Sequence, residues 1–98
     1  MSFSRVRWQR DSNEPAIVMA LVRAGATVVK LDTPCDLLVG FRGETYLLEV
    51  KRPPGPRGGT HNRKLSASQE KFVSMWNGAP IHVVTSAEQA LDVLGVRG

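Results

Sequence analysis

The 98 residues suffice for one compact domain and no second, and a core of that size leaves stability modest unless another subunit adds to it. Hydrophobic residues at 42% and charged residues at 22% describe an ordinary globule, and no apolar run nears the roughly 20 residues that span a bilayer. The single cysteine, Cys35, excludes an internal disulfide, and the first ten residues lack the apolar stretch of a signal peptide, so a cytoplasmic protein with no membrane association is expected.

The formal charge of +4 is unevenly spread. Residues 1–10 hold Arg5, Arg7 and Arg10 with no acid, and residues 51–64 hold Lys51, Arg52, Arg57, Arg63 and Lys64, again with none. The remainder carries five cations against nine acids, a net −4. Basic segments on an acidic body point to a polyanionic partner, of which nucleic acid is the commonest, although such arms also serve solubility alone.

In chain order, Asp11-Ser12-Asn13-Glu14-Pro15 reads as a helix start, with capping residues, an early acid and a first-turn proline. Ile17, Leu21 and Ala24, with Ala20 beside them, make its apolar stripe, and Gly25 is a C-terminal cap. Thr27 to Leu31 is rich in β-formers and stops at Asp32-Thr33-Pro34. Asp36 to Val39 and Thr45 to Lys51 are two more strands, joined by the tight turn Phe41-Arg42-Gly43-Glu44. Residues 52–64, with three prolines and three glycines, form a long basic loop, which in a small domain is usually functional or disordered. Ser66-Ala67-Ser68-Gln69 has the form of a capping box and opens a helix through about Asn77 that ends at Gly78. Pro80 to Val84 is a fourth strand, and Ser86-Ala87-Glu88-Gln89 opens a last helix that ends near Gly95. The order α-β-β-β-α-β-α makes the third and fourth strands parallel and the earlier ones antiparallel, a mixed α+β sheet with helices packed on it.

The turn sets a register. With Arg42 and Gly43 at its tip, Phe41 pairs with Glu44, Gly40 with Thr45, Leu38 with Leu47 and Asp36 with Glu49. Asp36 and Glu49 then face each other with Cβ atoms about 5 Å apart, and Lys51, two residues on, shares their face. Two opposed carboxylates repel, which raises a pKa or lowers stability unless a hard cation such as Mg²⁺ joins them. A lysine alongside can hold a phosphate or orient an attacking water. Singly, each of these residues is also an ordinary strand charge; the set of three on one face before a basic loop is what points to a site.

Asp36, followed by Glu49-Val50-Lys51, resembles the signature of the PD-(D/E)XK nuclease superfamily, an Asp on one strand and an acid-X-Lys triplet on the next. Taken with Leu65-Ser66-Ala67-Ser68-Gln69, the segment is most similar to the small VRR-NUC and Holliday-junction-resolvase-like endonucleases of phages and bacteria. The likeness runs from about Asn13 to Val84. It implies a restriction-endonuclease-like αβββαβ core and a Mg²⁺- or Mn²⁺-dependent deoxyribonuclease. Asp36 and Glu49 would be metal ligands, with the Val50 carbonyl a third and Glu14 matching an acid of the first helix. Lys51 would position the nucleophilic water, and Gln69 would match the polar residue after the loop. The proline of the family's name is Pro34 here, separated from Asp36 by Cys35.

Other readings stay open beside these. Glu14 is also explained by the helix dipole and Gln69 by its capping box. Cys35 is expected to be a small buried thiol, His82 a structural histidine and Trp76 a core residue beside Phe72. Arg52, Arg57, His61, Arg63 and Lys64, with Arg5, Arg7 and Arg10, are candidate phosphate contacts, and Trp8 suits either an unpaired base or a dimer contact. The whole-protein expectation is a homodimeric endonuclease on branched or duplex DNA. The alternatives are a nucleic-acid-binding module without turnover and an interaction subunit with an acidic partner.

Overall fold

Helix α1 (Glu14–Arg23) starts at Asn13, but Asn13 does not cap it with its side chain. The amide instead reaches across the fold, donating from Nδ2 to the Lys51 carbonyl at 3.0 Å and to the Thr85 carbonyl at 2.9 Å. The far end closes as expected. Gly25 at φ +100° bonds the Val22 carbonyl while Ala26 bonds that of Leu21, a reversal that a side chain would strain. These features belong to a computed structural model that describes residues 12–53 and 65–96. The N-terminal arm with Arg5, Arg7, Trp8 and Arg10, and Arg57, His61, Arg63 and Lys64 of the basic segment, lie outside the described residues.

Strands β1 (Thr27–Lys30), β2 (Leu37–Phe41) and β3 (Glu44–Val50) form an antiparallel meander, and β4 (Ile81–Val84) runs parallel to β3 after helix α2 (Ala67–Met75). The sheet order is β1-β2-β3-β4, and helix α3 (Ala87–Leu94) completes the expected α-β-β-β-α-β-α sequence. Arg42 at φ 52° and Gly43 at φ 82° make the two-residue turn, whose twist matches that of the strands it joins. The register follows, with Phe41 opposite Glu44 and Leu38 opposite Leu47.

One face of the sheet makes the core. Leu37, Val39 and Phe41 of β2, Leu48 and Val50 of β3, and Val84 of β4 pack against Ile17 and Leu21 of α1 and Ala90 and Leu94 of α3. The other face is covered only loosely by α2, which buries none of its residues. Trp76, expected in the core, is therefore a correction: it stacks on Phe72 with centroids 5.0 Å apart but stays 46% exposed. The aromatic pair has the predicted helical spacing, but among the described residues nothing closes over it. His82 takes a half-buried place in β4.

Because Asn13 ties the ends of β3 and β4 to α1, Asn13→Ala should lower stability by about 1–3 kcal/mol, the usual effect of stranding buried carbonyls. The measurement is a urea melt, and a variant as stable as wild type would show that water replaces the amide.

Candidate active site

At the ends of β2 and β3 farthest from the hairpin turn, two acids meet. The regular ladder stops at Leu37 opposite Leu48, one step short of the expected Asp36–Glu49 pair. Asp36 lies just outside it, its N–H donating to the Leu48 carbonyl at 3.1 Å and its carbonyl accepting from Leu31 at 2.7 Å. The Asp36 carboxylate then replaces a ladder partner: Oδ2 accepts the Val50 N–H at 2.8 Å. This bond fixes the Asp36 side chain and brings residue 50's peptide to the border of the acid pair.

Glu49 stands beside it. Both acids are nearly buried, Asp36 at 7% and Glu49 at 9% exposure. Burial first, and the Asp36 charge second, push the Glu49 pKa above the ordinary 4.5. Hydrogen bonding from Gln69 and the charge of Lys51 work in the opposite direction. The Lys51 Nζ lies 3.3 Å from Glu49 Oε2, an ion pair at the mouth of the site.

Gln69 serves two ends at once. Its Oε1 accepts the Ser66 N–H at 2.8 Å while the Ser66 hydroxyl accepts the Gln69 N–H, which completes the predicted capping box. Its Nε2 donates to the Pro34 carbonyl at 3.0 Å, and the side chain also hydrogen-bonds Glu49. The capping and site readings of Gln69 are thus compatible. The Pro34 carbonyl was not foreseen; a main-chain acceptor on a distant turn leaves no mark in sequence.

Cys35 is buried as expected, its Sγ donating to the Leu37 carbonyl at 3.7 Å. Burial chiefly pushes its pKa up to about 11, so at neutral pH it stays a thiol and not a nucleophile or soft ligand. Glu14 is 2% exposed in the first turn of α1. It does not complete a cluster with the pair: among the described residues no three His, Cys, Asp or Glu side chains assemble to hold a metal. Arg52, next to Lys51, is exposed.

The donor set nonetheless fits a hard divalent cation, which takes oxygen ligands and is often held by only one or two carboxylates with water and phosphate. Two neighbouring, nearly buried carboxylates are the arrangement such an ion relieves, since burial and the Asp36 charge both work against an ionised Glu49. The chain matches no protein-family model, no curated protein and no solved structure, so the site is read from its own geometry. Among the described residues no helix is long and apolar enough to cross a membrane.

Proposed function

We propose that the protein is a metal-dependent endonuclease that hydrolyses DNA phosphodiester bonds at Asp36, Glu49 and Lys51. The observation that carries this reading is the convergence of two nearly buried carboxylates from adjacent strands with a lysine ammonium 3.3 Å from one of them. Mg²⁺ or Mn²⁺, held by Asp36 and Glu49 with the Val50 carbonyl, would polarise the scissile phosphate and lower the pKa of a bound water.

The chain's own residues do the rest. The Val50 N–H holds Asp36 in one orientation, and Gln69, in the first turn of α2, favours the ionised form of Glu49. Lys51, 3.3 Å from Glu49, would offer its positive charge to a phosphate oxygen and orient the attacking water, whose oxygen bonds phosphorus as the bond to the leaving oxygen breaks and whose proton passes to solvent. Arg52 and the basic residues beyond it supply attraction for the strand on either side.

A homodimer suits a branched or junction substrate, because two copies set two sites at a fixed spacing. Met19 and Val22 on α1 and Val29 on the edge strand β1 are exposed apolar residues that a second copy would cover.

The test is a panel of labelled linear, flap, bubble and four-way-junction DNAs incubated with Mg²⁺ or Mn²⁺. Cleavage of branched forms is the expected result. Binding without cleavage under every condition would leave a nucleic-acid-binding module, and absence of both would leave an interaction protein.

Replacing Arg52, Arg57, Arg63 and Lys64 together by Gln should weaken all DNAs about equally and leave the melting temperature near its starting value. The slope of log affinity against log salt should fall by about 0.9 per charge removed for duplex DNA. Binding across a salt series, with Ca²⁺ to suppress turnover, checks this. An unchanged slope would move the phosphate contacts to Arg5, Arg7 and Arg10.

A further inference from the structure

The face that carries Asp36 and Glu49 continues along the strands into a groove of about 420 Å³ beneath α2, lined by Pro34, Leu38, Thr45, Leu47, Phe72 and Trp76. Leu38 lies two residues beyond Asp36 and Leu47 two before Glu49, so the groove floor begins roughly 7 Å along the strands from the carboxylates. Pro34 and Phe72 also line the smaller pocket that Gln69 borders, so the groove adjoins the pocket of the residue that bonds the Pro34 carbonyl.

Its wall is an aromatic platform that is both fixed and open. Trp76 Nε1 donates to the Ala79 carbonyl at 2.7 Å, Phe72 stacks on one side, and the ring lies so close to Gly78 that a Cβ there would come within 2.5 Å. The indole is pinned by these contacts, yet almost half of it faces solvent. A rigid, half-exposed aromatic beside an apolar slot is the arrangement on which single-stranded nucleic acid stacks its bases.

We infer that this groove is a base-stacking subsite, which takes one unpaired nucleobase from the strand whose phosphodiester lies at Asp36 and Glu49. The inference rests on the nuclease reading above. A nucleotide held at the carboxylates carries its base into the space beside them, and only a base that has left the duplex stack has a free face to lay on Trp76, which costs least for an unpaired nucleotide. The groove therefore selects substrates with an unpaired nucleotide next to the scissile bond. Apart from the Thr45 hydroxyl its side chains are apolar, with the Trp76 N–H already engaged, so it grips the face of a base and reads little of its edge.

The experiment compares three DNA duplexes with wild type, Trp76→Ala and Trp76→Phe: fully paired, with one unpaired thymidine, and with an abasic nucleotide at that point. Affinities are measured with Ca²⁺ and cleavage with Mg²⁺. Wild type should bind the thymidine bulge about tenfold more tightly than the abasic one. Trp76→Ala should remove that difference without changing affinity for the abasic or paired duplex, and Trp76→Phe should restore most of it. The inference is overturned if the abasic bulge binds as well as thymidine, or if Trp76→Ala weakens all three equally. It is also overturned if Trp76→Ala halves the molar mass in solution, because the groove is then an interface between copies. The two readings fail separately. Cleavage that ignores Trp76 and the bulge sinks only the subsite, whereas a Trp76-dependent bulge preference with no cleavage sinks only the nuclease.

Discussion

Lys51→Ala should reduce DNA cleavage on the order of a hundredfold or more while the protein folds as before. The fold depends on residue 51 through its main chain. The N–H donates to the Val84 carbonyl at 3.0 Å, and the carbonyl accepts Asn13 Nδ2 at 3.0 Å. Alanine keeps both bonds. The side chain contributes one ion pair with Glu49, a carboxylate that burial already inclines to take up a proton when the partner is lost. What disappears is the positive charge 3.3 Å from Glu49 Oε2. Without it Glu49 loses one of the influences that keep it ionised, so metal binding should also require a higher pH. Lys51→Arg retains the charge on a bulkier, planar group and should recover only part of the activity. The measurements are single-turnover cleavage, thermal melting and metal affinity against pH. Full activity in purified Lys51→Ala would falsify the catalytic assignment.

The second large effect is a stability that metal and pH control together. Burial and the neighbouring Asp36 raise the Glu49 pKa in the folded state above its ordinary 4.5. Between those two values the folded protein binds more protons than the unfolded chain, so stability falls as pH rises. The contribution is fully present below pH 4.5 and is lost as pH climbs through the raised folded value. Glu49→Gln should abolish this part of the pH dependence. Asp36→Asn should shrink it, leaving the metal-free protein as stable as wild type or more so, since asparagine keeps an oxygen for the Val50 N–H. Mg²⁺ or Mn²⁺ at a hundredfold excess over Kd adds about 2.7 kcal/mol. In a domain of this size that raises the melting temperature by on the order of 10 °C. Both variants should lose that response. Melts in chelator and in millimolar metal, from pH 4 to 8, decide the matter. A wild-type curve indifferent to both ions throughout would count against a metal site.

The part of this protein legible in sequence is the part governed by local geometry. Arg42-Gly43 permits one kind of two-residue turn, and the turn fixes the register of β2 against β3. With a side-chain period of two, Glu49 and Lys51 share a face, and the register brings Asp36 to the neighbouring strand end. The helix ends at Gly25 and Gly95 and the capping box at Ser66 depend on a few neighbouring residues, and all three stand where they were expected. A mixed sheet with β4 parallel to β3 follows from the order of elements.

What needed the tertiary structure depends on partners distant in the chain. Asn13 carries the signature of a helix cap, yet its amide is drawn to carbonyls 38 and 72 residues away. Asp36 leaves the ladder one residue early because its carboxylate satisfies the Val50 N–H that a ladder carbonyl would have met. Gln69 joins two roles only because the Pro34 carbonyl and Glu49 come to it in space. The reading of Trp76 failed for the same reason. Phe72 and Trp76 have the spacing of a buried helical face, but whether such a face is buried depends on what lies beneath it. Beneath α2 the sheet offers Leu38 and Leu47, and α2 packs on them too loosely to bury any of its residues, so Trp76 stays 46% exposed. The sequence determined which side chains share a face; how closely the neighbouring element packs on that face, which only the tertiary structure decides, set how much of it stays open.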